Sequence, residues 1–170
     1  MILLNEPYTS LNLKSYIDNC LKTNWVSTNG KYISKLENEL KKFTKSKYIN
    51  LVNSGTSALH LALKVIGTDR NTEILCPSMT FVATINAVIM SGATPILVDV
   101  NNYSWTLDLN LTEKAIKLHK PDAVIVVHTL GHSAEMDELK SMCVTKNIFL
   151  IEDAAASIGS NYKGKSLGTI

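Results

Sequence analysis

Glu152 and Asp153 follow directly on an apolar run, Ile148-Phe149-Leu150-Ile151, and the small residues Ala154-Ala155-Ala156-Ser157 come next. Four apolar residues without alternation predict a strand buried on both faces. In an open parallel sheet, ligands bind at the carboxyl ends of strands. A carboxylate there can hold chemistry, and small neighbours let a ligand approach. The alternative is a carboxylate that caps a turn or pairs with a surface cation. Ser54-Gly55-Thr56-Ser57 lies between an apolar stretch and a helical pattern. The first amides of a helix have no internal partner, and with the helix dipole they suit a phosphate. Gly55 permits close backbone approach, and Thr56 and Ser57 add hydroxyls. A simple N-cap explains the same residues equally well. Pro77-Ser78-Met79-Thr80-Phe81 falls at another expected strand end. Phe81 there can stack on a planar ring or serve as ordinary core. Amide donors for a phosphate, a stacking face and an acid for a ring nitrogen together describe a pyridoxal phosphate pocket.

Other chemistries find little support. The chain has neither G-x-x-x-x-G-K-[ST] nor G-x-G-x-x-G, so it is not a P-loop or a dinucleotide fold of the usual kind. His128 and His132 lie near Glu135 and Asp137, but no H-E-x-x-H and no third ligand of fitting spacing accompany them. Structural hydrogen bonding is the expectation for both. Ser57, His60 and Asp153 form no recognisable triad, and no G-x-S-x-G elbow occurs. Cys20, Cys76 and Cys143 are odd in number and lack CxxC spacing, which fits reduced thiols in the cytosol.

Strands and helices must alternate to position these residues. Helical spacing covers 10–21, with Ser10 as N-cap and Leu13, Ile17 and Leu21 on one stripe, and covers 32–43. Strands are expected at 48–52, 73–76, 94–100, 122–128 and 148–151. Helices are expected at 58–65, 80–90, 111–118 and 135–144. A small hairpin or extended tail fits 161–167. This alternation argues an α/β domain with a largely parallel sheet and helices on both faces.

Composition agrees with one globular domain: 170 residues, 45% hydrophobic and 19% charged. A net charge of +2 is too small to argue for nucleic acid or a membrane surface. The densest basic patch, Lys41, Lys42, Lys45 and Lys47, reads as a solvated helix face, with phosphate binding as the alternative. Residues 1–20 lack an apolar core behind a basic start and so do not read as a signal peptide, and no apolar run is long enough to span a membrane.

Asn53–Leu59, Pro77–Thr84, Gly92–Val100 and Glu152–Ala155, taken together, resemble the DegT/DnrJ/StrS family. These are pyridoxal-phosphate sugar-nucleotide aminotransferases of the aspartate aminotransferase fold. Order and spacing match from Asn24-Trp25-Val26-Ser27 to Gly168-Thr169. The opening residues and Val127–His132 are most similar to members acting on 4-keto sugar nucleotides, which serve legionaminic acid, perosamine and related surface sugars.

The resemblance implies a three-layer α/β sandwich with a mostly parallel sheet. Residues 1–45 would be an N-terminal helical segment, and 46–170 part of the large cofactor-binding domain. By position, the amides of Gly55 and Thr56 would hold the phosphate, Phe81 would stack on the ring, and Asp153 would pair with the pyridine nitrogen. Ala156 stands where many members carry Gln or His against the cofactor's hydroxyl. Trp25 to Asn29 is similar to a segment near the substrate entrance. The family's Schiff-base lysine would lie beyond Ile170, as would its C-terminal small domain. Lys163 and Lys165 precede that lysine's motif and do not match it. The implied reaction moves an amino group from an amino acid, glutamate, to a keto group of a nucleotide-linked sugar, in a cytoplasmic homodimer. Two alternatives accompany it: a relative that carries His for the lysine and dehydrates sugars, and a truncated, non-catalytic product.

Overall fold

The computed structural model describes residues 8–170. The first seven residues of the expected N-terminal segment lie outside that range. Two helices open the described chain, α1 (Leu13–Lys22) and α2 (Lys31–Thr44). The following helix, α3 (Gly55–Val65), leads into the sheet region. There β1 (Glu73–Pro77), α4 (Val82–Ser91), β2 (Thr94–Val98), α5 (Leu109–His119), β3 (Ala123–Val127), α6 (Met136–Thr145) and β4 (Phe149–Asp153) alternate. A two-stranded hairpin closes the chain, β5 (Asn161–Tyr162) against β6 (Lys165–Ser166).

The four longer strands are parallel, in the order β2-β1-β3-β4. Side chains alternate across a strand, so neighbouring residues enter different cores. Ile74, Cys76, Ala123 and Ile125 join Leu59 and Leu63 of α3 and Ala87 and Val88 of α4. Leu75, Val124 and Val126 join Ile116 of α5 and Leu139 and Cys143 of α6. Helices therefore cover both faces, giving the expected three layers. Buried strands with helices on either side read as continuous apolar runs, as Ala123–Val127 does. Gly92 stops α4 in the left-handed conformation at φ 92°, its amide donating to the carbonyl of Ile89. Among the described residues no helix is long and apolar enough to cross a membrane.

Three local expectations fail, each for a physical reason. Residues 48–52 form no strand: they pair with no ladder among the described residues, and Tyr48 and Val52 face solvent. Extended backbone becomes a strand only when a neighbour takes its hydrogen bonds. β4 is not buried on both faces. It lies at one edge of the sheet, and Phe149 is exposed. Ser10 does not cap α1 directly: it sits in a turn, and the helix begins at Leu13. The stripe Leu13, Ile17 and Leu21 is exposed along α1.

Candidate active site

The chain leaves β1 toward β2 on one side and returns to β3 and β4 on the other. The carboxyl ends of β1 and β3 thus flank a topological switch point, where open α/β sheets form a crevice. A cleft of about 710 Å³ lies there. Its wall includes Gly55, Thr56, Phe81, Asp153 and Ala156, residues far apart in sequence. The structure thereby brings all five sequence-nominated residues to one place. Trp25 to Asn29 do not line this cleft.

The N-terminus of α3 forms one wall. Ser54 is its N-cap, and its hydroxyl accepts the amide of Ser57 at 3.2 Å. The carbonyl of Ser54 takes the amide of Ala58 at 3.0 Å. The amides of Gly55 and Thr56 have no acceptor among the described residues. Capping therefore holds for Ser54 and still leaves two polarised donors facing the cleft. A Cβ added at Gly55 would meet only the Cβ of Ala155, at 3.9 Å. The glycine keeps the space between α3 and the segment after β4 open.

Phe81 ends the loop after β1 and occupies the N-cap position of α4 with extended backbone. It is 79% exposed, so it is not core. Its ring is free to cover a flat ligand from the cleft wall.

Asp153 closes β4 and is half-buried. Oδ2 accepts the hydroxyl of Thr84 at 2.7 Å, and Oδ1 accepts the amide of Ala155 at 3.2 Å. The turn-capping alternative is thus partly right, because the Ala155 bond is a local turn. The surface-cation alternative is not, since none of the ion pairs among the described residues includes Asp153. Ala156 lines the cleft with a methyl group and so offers no side-chain hydrogen bond.

Glu152, one residue earlier, turns to the opposite face of the sheet. Its carboxylate accepts His128 Nε2 at 3.0 Å and the amides of Gly168 at 2.8 Å and Ile170 at 2.6 Å. His128 Nδ1 accepts the amide of Ala134 at 3.3 Å, so Nε2 is the nitrogen that donates to Glu152. Burial acts to raise the carboxyl's pKa, yet the bonds from His128, Gly168 and Ile170 outweigh it and hold Glu152 below its ordinary value. Gly168 has φ 85°, and a Cβ there would come within 3.1 Å of the Ala154 Cβ. The 168–170 segment is thereby seated beside the end of β4. His132 is exposed, and no metal-binding cluster occurs among the described residues. Burial pushes the Cys76 thiol up to about 12 and the Cys143 thiol up to about 11, so neither is a nucleophile at neutral pH.

Sequence reasoning missed Thr84 and the His128–Glu152 pair. Thr80, two residues before α4, and Thr84, in its first turn, are two hydroxyls four positions apart beside the apolar run of the helix, and their oxygens lie 2.8 Å apart. That pattern was a usable signal. The bonds of Glu152 to Gly168 and Ile170 depend on how the chain returns to β4, which no local pattern encodes.

The donor set fits pyridoxal phosphate. Unpaired helix amides suit its phosphate, an exposed ring suits its pyridine, and a fixed carboxylate suits its ring nitrogen.

Comparison with known proteins gives the same direction. The chain is similar to GDP-perosamine synthase of Escherichia coli O157:H7, 39% identical over 164 residues, covering 96% of this chain and 45% of the relative. Its fold is similar to that of DesV from S. venezuelae, with TM-score 0.83 and 33% identity, covering 94% of this chain and 43% of DesV. The PLP form of Spr1654 from Streptococcus pneumoniae superposes with TM-score 0.90 at 27% identity, covering 97% of this chain and 45% of that one. The chain spans about half the length of the curated relatives it matches. A profile described as the DegT/DnrJ/EryC1/StrS aminotransferase family matches residues 9–170, and the chain belongs to that family.

Proposed function

We propose that the protein carrying this chain uses pyridoxal phosphate to transfer an amino group from an amino acid, glutamate, to a keto group of a nucleotide-linked sugar destined for surface polysaccharide or a nonulosonic acid. The observation that carries this is the cleft itself, where two unpaired helix amides, an exposed aromatic and a twice-bonded carboxylate face one volume of about 710 Å³. Similarity to GDP-perosamine synthase supports the nucleotide-sugar class. Bound pyridoxal phosphate supplies an electron sink that makes a carbon–hydrogen bond beside nitrogen acidic. The chain's own residues bind and orient. The amides of Gly55 and Thr56 donate to phosphate oxygens. The Phe81 ring covers one face of the pyridine. The carboxylate of Asp153 keeps a proton on the ring nitrogen. Ala156 contributes only a methyl contact.

A homodimer and a cytoplasmic location belong to the same reading. The exposed stripe of Leu13, Ile17 and Leu21 is the kind of face a second subunit covers, and the three cysteines are free.

The test is an assay of the whole protein that carries this chain, with pyridoxal phosphate, glutamate and a nucleotide-linked 4-keto sugar. The expected products are the amino sugar and the keto acid of the donor in equal amounts. A purified, folded protein that binds pyridoxal phosphate but forms no amino sugar from any such substrate would overturn the reading. Phe81→Ala gives a narrower check. Stacking contributes about 0.5–1.5 kcal/mol, so affinity for pyridoxal phosphate should fall roughly three- to tenfold. The melting temperature should not move, because Phe81 is exposed. A titration followed by absorbance reads the first and calorimetry the second.

A further inference from the structure

Thr84 is completely buried, in the first turn of α4. A threonine inside a helix ordinarily returns its hydroxyl to the carbonyl three or four residues earlier. Thr84 does not. Its hydroxyl donates to Asp153 Oδ2 at 2.7 Å, across 69 positions of sequence. A hydroxyl has one proton, so with Thr84 donating to Asp153 only Thr80 can be the donor at the 2.8 Å contact between Thr80 Oγ1 and Thr84 Oγ1. The Phe81 carbonyl, at 3.3 Å, is the longer of the two acceptors within reach of that Thr80 proton. With the amide of Ala155 on Oδ1, both carboxylate oxygens are bonded and the carboxylate plane is set.

Resting on the pyridoxal phosphate reading of the cleft, we infer that Thr84 is a positioning residue that orients the Asp153 carboxylate and keeps it an acceptor toward the ring nitrogen. A donor on one oxygen fixes the orientation of the carboxylate and leaves its remaining lone pairs for the ligand. The same first turn of α4 carries Phe81 at its N-cap, so one helix start sets the stacking ring and the clamp on the acid. Among the described residues, His128 is the other titratable side chain that lines the cleft, and its ring nitrogens are engaged by Glu152 and Ala134. The field at the ring nitrogen therefore depends on Asp153 and on what holds it.

The experiment titrates the full chain with pyridoxal phosphate alone, for the parent, Thr84→Val and Thr84→Ser. Two readouts are taken: affinity, and the proportions of the absorbance bands that follow protonation of the pyridine nitrogen. Thr84→Val keeps the shape and removes the donor. It should bind at least about tenfold more weakly, since losing a hydrogen bond to a charged group corresponds to roughly 10- to 150-fold. Its bands should shift toward the unprotonated ring. Thr84→Ser keeps the hydroxyl and should match the parent within about twofold. Equal affinity and equal bands for Thr84→Val and the parent would overturn the inference. Equal impairment of Thr84→Val and Thr84→Ser would overturn it too, since the hydroxyl would then not be the cause. If Thr84→Val loses its circular dichroism signal, Thr84→Ala is judged against Thr84→Ser by the same criteria. Failure of the parent to bind pyridoxal phosphate would instead overturn the reading of the cleft, and the inference with it.

Discussion

Asp153→Asn in the whole protein that carries this chain is expected to lower amino transfer by on the order of a thousandfold and to leave the fold in place. Asparagine has nearly the same shape, and its amide oxygen can still accept the hydroxyl of Thr84 or the amide of Ala155. What disappears is the negative charge at the carboxyl end of β4. That charge is the group in the cleft able to hold a proton on a ring nitrogen. Breaking a desolvated charge pair costs about 3–5 kcal/mol, which corresponds to roughly 10²–10³-fold or more in rate. Initial rates with glutamate and a nucleotide-linked keto sugar measure the loss, and circular dichroism checks the fold. Activity within about threefold of the parent would remove Asp153 from the mechanism.

Glu152→Ala should have the largest effect on stability. The Glu152 side chain is 9% exposed and accepts three donors. Alanine leaves the Nε2–H of His128 buried with no partner and releases the amides of Gly168 and Ile170. A buried donor without an acceptor costs about 1–3 kcal/mol, and hydrogen bonds to a charged acceptor contribute further, so a loss of about 3 kcal/mol is expected. Urea unfolding of parent and variant measures it. Glu152→Gln retains one acceptor oxygen and should lose less. The same carboxylate gives a pH dependence. Its folded-state pKa lies below the ordinary value of 4.5, so the unfolded chain binds the proton more tightly. Its contribution is fully present above pH 4.5 and is lost as the pH falls through the lower folded value. The acid limb of the parent's stability curve should be steeper than that of Glu152→Gln.

The cleft was legible from the sequence because its parts announce themselves locally. Ser54-Gly55 is a cap followed by a glycine, and β1 stops at Pro77 with Phe81 four residues on. Glu152 and Asp153 follow directly on an apolar run. Parallel strands with helical returns do the rest, since every strand delivers its carboxyl end to the same edge. The fold class followed from the same alternation. What failed were claims about partners. Residues 48–52 have the composition of a strand, yet nothing in a composition says whether a neighbouring ladder exists. The apolar residues of β4 look doubly buried in sequence, while the strand stands at a sheet edge with Phe149 exposed. Thr84 was overlooked because its partner lies 69 positions away, although Thr80, four positions before it, pointed to paired hydroxyls at the start of α4.

The most direct test of the central claim is a crystal structure of the full chain with pyridoxal phosphate. The account places the phosphate within hydrogen-bond distance of the Gly55 and Thr56 amides, the ring against Phe81, and the pyridine nitrogen on the free side of the Asp153 carboxylate. A phosphate bound away from the start of α3, or a ring nitrogen pointing away from Asp153, would contradict it.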